Sequence, residues 1–456
     1  MDEVKILAVN GQLGYGFPID SFREGMRRNP DIVGVDGGSS DAGPYYLGSG
    51  EAHTGREGVK RDLAVILPEV LTTNTPLIIG SASTAGGEPH IAKTLEVLQE
   101  LAAEKNLQFR IAIIHSEVDK TFVKKKLQAN KITPLGSHVD MLTEKMVENS
   151  TRIVGQMGVT PFIRALDSDA DIVLAGRSCD TAIFAALPIK KGFDPGLSFH
   201  AAKVMECGAY GTVPGSSSDC LWGEIRRKDF ILDSLNPIRR CTPVSVAAHT
   251  MYEQGHPSIF HEPDGTVDCT NASFEQYSET AVRVWGTEYR PVSDRWTIKL
   301  EGAALEGYRT IAVAGVRDPM FIKHIDKIIS HVKEEVAENL GESSLQGYDL
   351  TFRVYGKDAI LGELETAPCN AHELGIIIDV VGKSQAQANS ICALARASML
   401  HAPFPDRKTT GGNIAIPYSP SDLPVGPVYQ FSVYHLVEVD DPDELFSIEI
   451  VEVGIS

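Results

Sequence analysis

Leu77-Ile78-Ile79-Gly80-Ser81-Ala82-Ser83-Thr84-Ala85-Gly86-Gly87 is the stretch on which the fold turns. A short apolar run breaks directly into glycines, hydroxyls and other small residues. A helical pattern follows over residues 91–104, with Ile91, Leu95, Leu98 and Leu101 on one face. A brief, continuous apolar run suits a strand covered on both sides, as in a parallel sheet. The same grammar recurs to either side. Residues 4–9 end in Gly11-Gln12-Leu13-Gly14-Tyr15-Gly16 and precede a helix over 21–28. Residues 32–35 run into Asp36-Gly37-Gly38-Ser39-Ser40-Asp41, ahead of a helix over 61–70. Strand 109–114 stops at His115-Ser116-Glu117, and strand 172–175 at Gly176-Arg177-Ser178-Cys179-Asp180. This alternation predicts an α/β protein with a Rossmann-like parallel sheet and helices on both faces.

Downstream, residues 198–209 read as a helix, with Ser198 as N-cap and Gly208 as its stop. Residues 240–315 read as a β-rich segment. Its strands are expected at 242–248, 283–284, 296–300 and 310–313, with a tight turn at Pro263-Asp264-Gly265. An amphipathic helix over 321–339 leads to a polar boundary at 341–348. The expected division is an α/β domain over 1–345 and a small α+β domain over 346–456. The latter would hold strands 350–355 and 376–381, a helix over 385–400, a Pro-rich stretch at 402–427, and strands 430–439 and 446–453.

The 456 residues suffice for two to four domains at about 100–200 residues each. Lys and Arg number 42 against 61 Asp and Glu, a net charge of -19. That field repels phosphate backbones and anionic lipid, which argues against nucleic-acid or membrane partners. No run approaches the roughly 20 apolar residues that span a bilayer. The acidic, briefly apolar start does not resemble a signal peptide. Seven cysteines without CxxC spacing indicate neither a zinc ribbon nor a disulfide scaffold. A reduced, cytoplasmic location is the expectation.

In open parallel sheets, ligands bind beyond the carboxyl ends of the strands. Four polar loops lie at those ends: 36–41, 80–87, 115–117 and 176–180. Small residues let a ligand approach the backbone, and free amides attract anions. Gly80–Gly87 lacks a P-loop ending, and Gly11–Gly16 misses the dinucleotide spacing, so there is no ATP or NAD signature. Arg177 suits a bidentate carboxylate clamp, or else an internal pair with Asp180. Cys179 reads as a packed thiol, with a nucleophile as the alternative. On the 198–209 helix, His200, Lys203 and Cys207 share a stripe. His200 there suits acid/base work and Lys203 an oxyanion partner. His249, His256 and His261, with Glu253 and Glu262, lack the spacing of a metal site. The cluster Glu363, Glu365, Cys369, His372 and Glu373 reads as a polar loop. Arg407-Lys408-Thr409-Thr410-Gly411-Gly412-Asn413 could hold an anion.

Several segments resemble the acyclic terpene utilisation protein family. They are Gly37-Gly38-Ser39-Ser40-Asp41-Ala42-Gly43-Pro44-Tyr45-Tyr46-Leu47-Gly48, Ala175-Gly176-Arg177-Ser178-Cys179-Asp180-Thr181-Ala182 and Phe199-His200-Ala201-Ala202-Lys203-Val204-Met205-Glu206-Cys207-Gly208. Ser245-Val246-Ala247-Ala248-His249-Thr250-Met251-Tyr252-Glu253, Lys299-Leu300-Glu301-Gly302-Ala303 and Gly307-Tyr308-Arg309-Thr310 continue the match, which spans roughly residues 1–330. The C-terminal part lacks the Gly-Asp-Lys-Gly segment of some members. The resemblance implies catabolism of acyclic terpenoids through acyl-CoA intermediates, or of branched or polycarboxylic acids.

Together these readings predict a catabolic enzyme acting on a small carboxylic acid or its CoA thioester. The expected chemistry is proton abstraction next to a carbonyl, as in a hydratase (hydro-lyase) or isomerase. Arg177 and Lys203 would hold the carboxylate or enolate, and His200, Asp36 or Asp180 would move the proton. Gly37, Gly38, Ser39, Ser40, Asp41, Ser81, Ser83, Thr84, Gly86, Gly87, Ser178 and Cys179 would line the substrate side. The cofactor stays open, CoA could enter as part of the substrate, and self-association into a homo-oligomer is expected. The alternatives are a hydrolase or acyltransferase with a cysteine or serine nucleophile, and a non-catalytic acyl-CoA-binding partner subunit.

Overall fold

The computed structural model describes residues 2–292, 295–340 and 347–454. Glu3–Ala8, Ile32–Asp36, Leu77–Gly80, Ile172–Ala175 and Phe109–Ile114 lie side by side, in that order and parallel. Alternate strand residues face opposite sides. Leu7, Val33, Ile79 and Leu174 enter one core with the helices Ile19–Arg27, Arg56–Thr73 and Glu88–Lys105. Ile6, Ile32, Ile78 and Val173 enter the other, against Val159–Leu166, Ala182–Lys190 and Pro195–Met205. The strands are therefore covered on both faces, which is why they read as unbroken apolar runs.

Among the described residues the whole sheet is mixed, not parallel, and has ten strands. Leu221–Arg226 pairs antiparallel with Glu3–Ala8 and continues into Phe230–Ser234, Ala281–Trp285 and Ser273–Gln276. The short connection from Arg226 to Phe230 leaves no room for the crossover that a parallel partner needs. The opposite edge is closed by Ile448–Val453, antiparallel to Phe109–Ile114. That strand, expected in the small C-terminal domain, thus completes the first sheet.

The expected strand at 242–248 is a helix, Pro243–Thr250. Thr242 caps it, accepting from the Ser245 amide at 3.0 Å, and Pro243 is pre-set for the first helical position. The helix around His200 begins earlier than expected, at Pro195, with Asp194 as its cap. The two expected strands at 296–300 and 310–313 are parts of one strand, Trp296–Val316.

The chain forms two compact units, Met1–Ala304 with Phe431–Ser456, and Leu305–Gln430. The expected boundary at 341–348 falls mostly outside the described residues. In the second unit, residues 308–316 pair with Leu374–Gly382, which pairs with Tyr348–Tyr355. The helices Ile325–Leu340 and Gln385–His401 supply Ile328, Val332, Ile391 and Ala395 to its core. Among the described residues, no helix is long and apolar enough to cross a membrane.

Candidate functional site

The four loops meet at one edge of the first unit. The Gly37 amide donates to Gly80 O at 2.7 Å, and the Ala82 amide to Ala175 O at 2.9 Å. Ser116 Oγ donates to Gly86 O at 2.8 Å and accepts from the Arg177 amide at 2.7 Å. A Cβ on Gly37 would lie 2.6 Å from Ser81 O, and one on Gly86 2.0 Å from Arg177 N, so both positions require glycine. Ser81, Ser83 and Thr84 have positive φ angles of 37°, 43° and 95°. Left-handed backbone at a β-branched residue is costly and marks a loop fixed by its surroundings.

At the centre lies Arg177, 3% exposed. Its Nε donates to Glu301 Oε2 at 2.9 Å, and its Nη1 to Ser178 O at 2.7 Å and Ser81 Oγ at 3.2 Å. Asp180 Oδ1 stands 3.6 Å from the same Nη1. Lys299 Nζ holds the other Glu301 oxygen at 2.7 Å. Arg177 is therefore an internal partner more than an open clamp, and its principal carboxylate is Glu301. Burial opposes the Glu301 charge, but Arg177 and Lys299 outweigh it and draw the carboxyl down to about 2.

Asp36 ends its strand at 4% exposure, and its Oδ1 has no hydrogen-bond partner. Burial first and the Asp180 charge second push this carboxyl well up, against Arg177 and the Gly38 amide. Asp180 Oδ1 is likewise buried without a hydrogen-bond partner. Burial raises Asp180, while Arg177 and Lys203 oppose. Lys203, 5% exposed, pairs with Glu206 Oε1 and sits 5.8 Å from the Tyr252 ring centroid. Burial and Asp180 push Glu206 up to about 8, with Lys203 opposing. Two carboxyls, each with a buried oxygen that makes no hydrogen bond, thus share one field with two fixed cations, an arrangement that can hold and pass a proton.

The structure separates the expected site residues into groups. Asp36, Arg177, Asp180 and Lys203 come together. His200 does not join them: it is fully buried, with Nδ1 on Thr287 Oγ1 at 2.7 Å and Nε2 on Thr250 Oγ1 at 2.9 Å. It packs edge-on against Phe230 and Phe274, and burial lowers it to about 3. Both nitrogens are spent, so the acid/base role expected of His200 has no opening. Ser81 and Ser178 bond each other and frame Arg177. Ser83 is spent on Thr94 and Thr84 on the His53 amide. Ser39 caps the Asp41 amide, and the Gly87 amide donates to His90 Nδ1. Gly38 brings its amide to Asp36.

A cavity of about 510 Å³ starts at Ser40 and Asp41 and is walled by Val139, Met146, Phe431 and Tyr434. A second, of about 560 Å³, is bordered by Cys179, Glu262, Lys299 and Gln156. Lys299 Nζ, at the border of the second, lies 4.9 Å from the ring centroid of Tyr434, in the wall of the first. Burial raises both the Cys179 and the Cys207 thiols, which keeps them protonated. The three histidines considered for a metal go separate ways. His256 accepts from the Ser258 and Ile259 amides, His261 pairs with Thr266, and His249 stacks between Tyr210 and Tyr252. Among the described residues, no group of three or more His, Cys, Asp or Glu side chains is set to hold a metal ion.

Sequence reading missed Glu206, Glu301 and Lys299 as members of the centre. Glu206 was within reach, three residues after Lys203 on the same helical stripe. Residues 54–218 and 236–410 match the family model described as Acyclic terpene utilisation family protein AtuA. No curated protein and no solved structure matches the chain.

Proposed function

This chain belongs to the acyclic terpene utilisation family AtuA, and on that footing we propose that it is a catabolic enzyme acting on a small carboxylic acid or acyl thioester. Family membership implies a role in acyclic terpene utilisation. The finer reading is proton abstraction next to a carbonyl, serving hydration, dehydration or isomerisation. One observation carries it: the carboxyls of Asp36 and Asp180 share one field with Arg177 and Lys203, and each has a buried oxygen that makes no hydrogen bond.

In this reading Asp180 is the base. Burial raises its carboxyl, Arg177 and Lys203 oppose that rise, and its side chain is 32% exposed, so a substrate can reach it. Asp36, pushed toward its protonated form, is the acid. Lys203, whose ammonium is bonded to Glu206 Oε1, faces the oxyanion that develops. Arg177, committed to Glu301, orients Asp180 rather than gripping substrate. The protonated state of Cys179 and Cys207 gives a nucleophilic mechanism no support.

The test is deuterium exchange at the α-carbon of 3-methylbutanoyl-CoA and 3-methylbutanoate in D2O, followed by NMR. Wild-type protein should wash in deuterium, and Asp180→Asn should slow it at least about a hundredfold. Exchange by D180N at the wild-type rate would remove Asp180 as the base. No exchange by wild-type protein on either compound, despite binding, would sink the proton-abstraction reading.

A further inference from the structure

His249 is a buried polar side chain that the scheme above leaves unused. It lies on the helix Pro243–Thr250 and is 8% exposed. Its ring is held between two tyrosines: Tyr252 at 5.2 Å and 12° between planes, and Tyr210 at 6.0 Å and 22°. Such a stack fixes the plane of the imidazole. Both tyrosines are themselves about half exposed, at 46% and 50%, so they form a rim at the surface. Against the same Tyr252 ring sits Lys203 Nζ, at 5.8 Å from the centroid. His249 Nε2 is buried and has no hydrogen-bond partner. An oriented imidazole with an orphaned nitrogen, against the same tyrosine ring as the cleft lysine, is poorly explained as packing, since a buried polar atom left unpaired is destabilising. His200, by contrast, spends both nitrogens on threonines.

We infer that His249 is a second oxyanion donor: its Nε2–H and the Lys203 ammonium receive the carbonyl oxygen of the bound acid or thioester. This rests on the proton-abstraction reading and deepens it. As Asp180 takes the α-proton, the C–H electron pair moves into the C–Cα bond and the carbonyl pair moves onto oxygen. The proton resides on Asp180, and the negative charge sits between His249 and Lys203. The imidazole is suited to donating without surrendering its proton. Burial and the Lys203 charge lower His249 to about 4, so the ring is uncharged near neutral pH and acts as a polarising donor.

Two measurements decide the matter. In the D2O exchange assay with 3-methylbutanoyl-CoA, His249→Ala should lower kcat about a hundredfold with KM changed little, and His249→Gln, which keeps an N–H near Nε2, should recover part of it. A purely structural role would lower thermal stability in both variants and leave kcat of the folded fraction intact, and that result would overturn the inference. If H249A does not fold, the H249Q variant carries the kinetic comparison. Independently of turnover, the ¹⁵N resonance of His249 Nε2 should move when 3-methylbutanohydroxamate is added to the wild-type chain. An unmoved resonance with the hydroxamate bound refutes the donor role even if exchange is seen. Absence of exchange in the wild type together with a moved resonance would instead refute the proton-abstraction reading and leave His249 as a ligand donor.

Discussion

Arg177 Nε lies 2.9 Å from Glu301 Oε2, and the two side chains, 3% and 0% exposed, form an ion pair shut away from water. The pair links the loop after strand Ile172–Ala175 to the start of the long strand Trp296–Val316. It is the anchor that sets Arg177 Nη1 against Asp180. Removing one member strands the other charge, which costs more than the pair itself contributes.

Glu301→Gln should therefore destabilise the chain by about 3–5 kcal/mol near neutral pH. The pH dependence has a definite sign. The Glu301 carboxyl lies at about 2 when folded against an ordinary 4.5, so its stabilisation is present above pH 4.5 and fades as pH falls from there toward 2. Urea melts of the wild type and E301Q should converge as pH falls below 4.5. Curves that stay parallel down to pH 3 would refute the assignment.

Glu262 should behave in the opposite sense. It is 9% exposed and accepts from Thr181 Oγ1 at 2.6 Å and Cys179 Sγ at 3.1 Å. Burial raises it to about 7 despite those donors. The folded state holds its proton, so this stabilisation is full below pH 4.5 and lost as pH rises through 7. Glu262→Gln keeps the acceptor oxygen and carries no charge. Its stability relative to wild type should grow by about 1–3 kcal/mol between pH 4.5 and 8. Thermal melts at the two pH values are the check, and a constant difference would count against a protonated Glu262.

The parallel core was legible because strands buried on both faces leave unbroken apolar runs, each ending in a loop of small polar residues. The edge strands were not, since pairing direction depends on connection length and on partners far away, as with Ile448–Val453 against Phe109–Ile114. At residues 242–248 a strand was expected, yet the Thr242–Ser245 cap and Pro243 start a helix there. Asp36, Arg177, Asp180 and Lys203 could be read from loop position and helix spacing. Glu301 could not, because it stands 124 residues from Arg177. His200 misled because the stripe argument assumes a helix with a solvent side, whereas every residue from Gly196 to Met205 is buried.

Thiol chemistry gives a third test. Cys369 is exposed, while Cys220, Cys241 and Cys392 are buried and Cys179 and Cys207 partly so. Burial raises the Cys179 and Cys207 thiols, leaving almost no thiolate at pH 8. Iodoacetamide at pH 8 should label Cys369 first by peptide mass mapping, and the singly labelled protein should keep its α-proton exchange. Early labelling of Cys179 or Cys207 with loss of exchange would revive the cysteine-nucleophile alternative.

His200 supplies the sharpest contrast between packing and chemistry. Its ring joins Thr250 on the helix Pro243–Thr250 to Thr287, so the side chain ties two segments to the helix Pro195–Met205. Truncation leaves two hydroxyls without that partner and opens a cavity against Phe230 and Phe274. His200→Ala should accordingly cost about 2–4 kcal/mol of stability. The folded ring lies at about 3 against an ordinary 6.5, so its stabilisation holds above pH 6.5 and is lost as pH falls toward 3. The wild type should weaken over that window more steeply than H200A, as read by urea melts at pH 7.5 and 5. At a temperature where H200A is still folded, kcat should stay within about threefold of wild type, far from the hundredfold loss that removing a general acid or base produces. A large fall in kcat without a fall in stability would return His200 to the reaction and displace Asp180 from it.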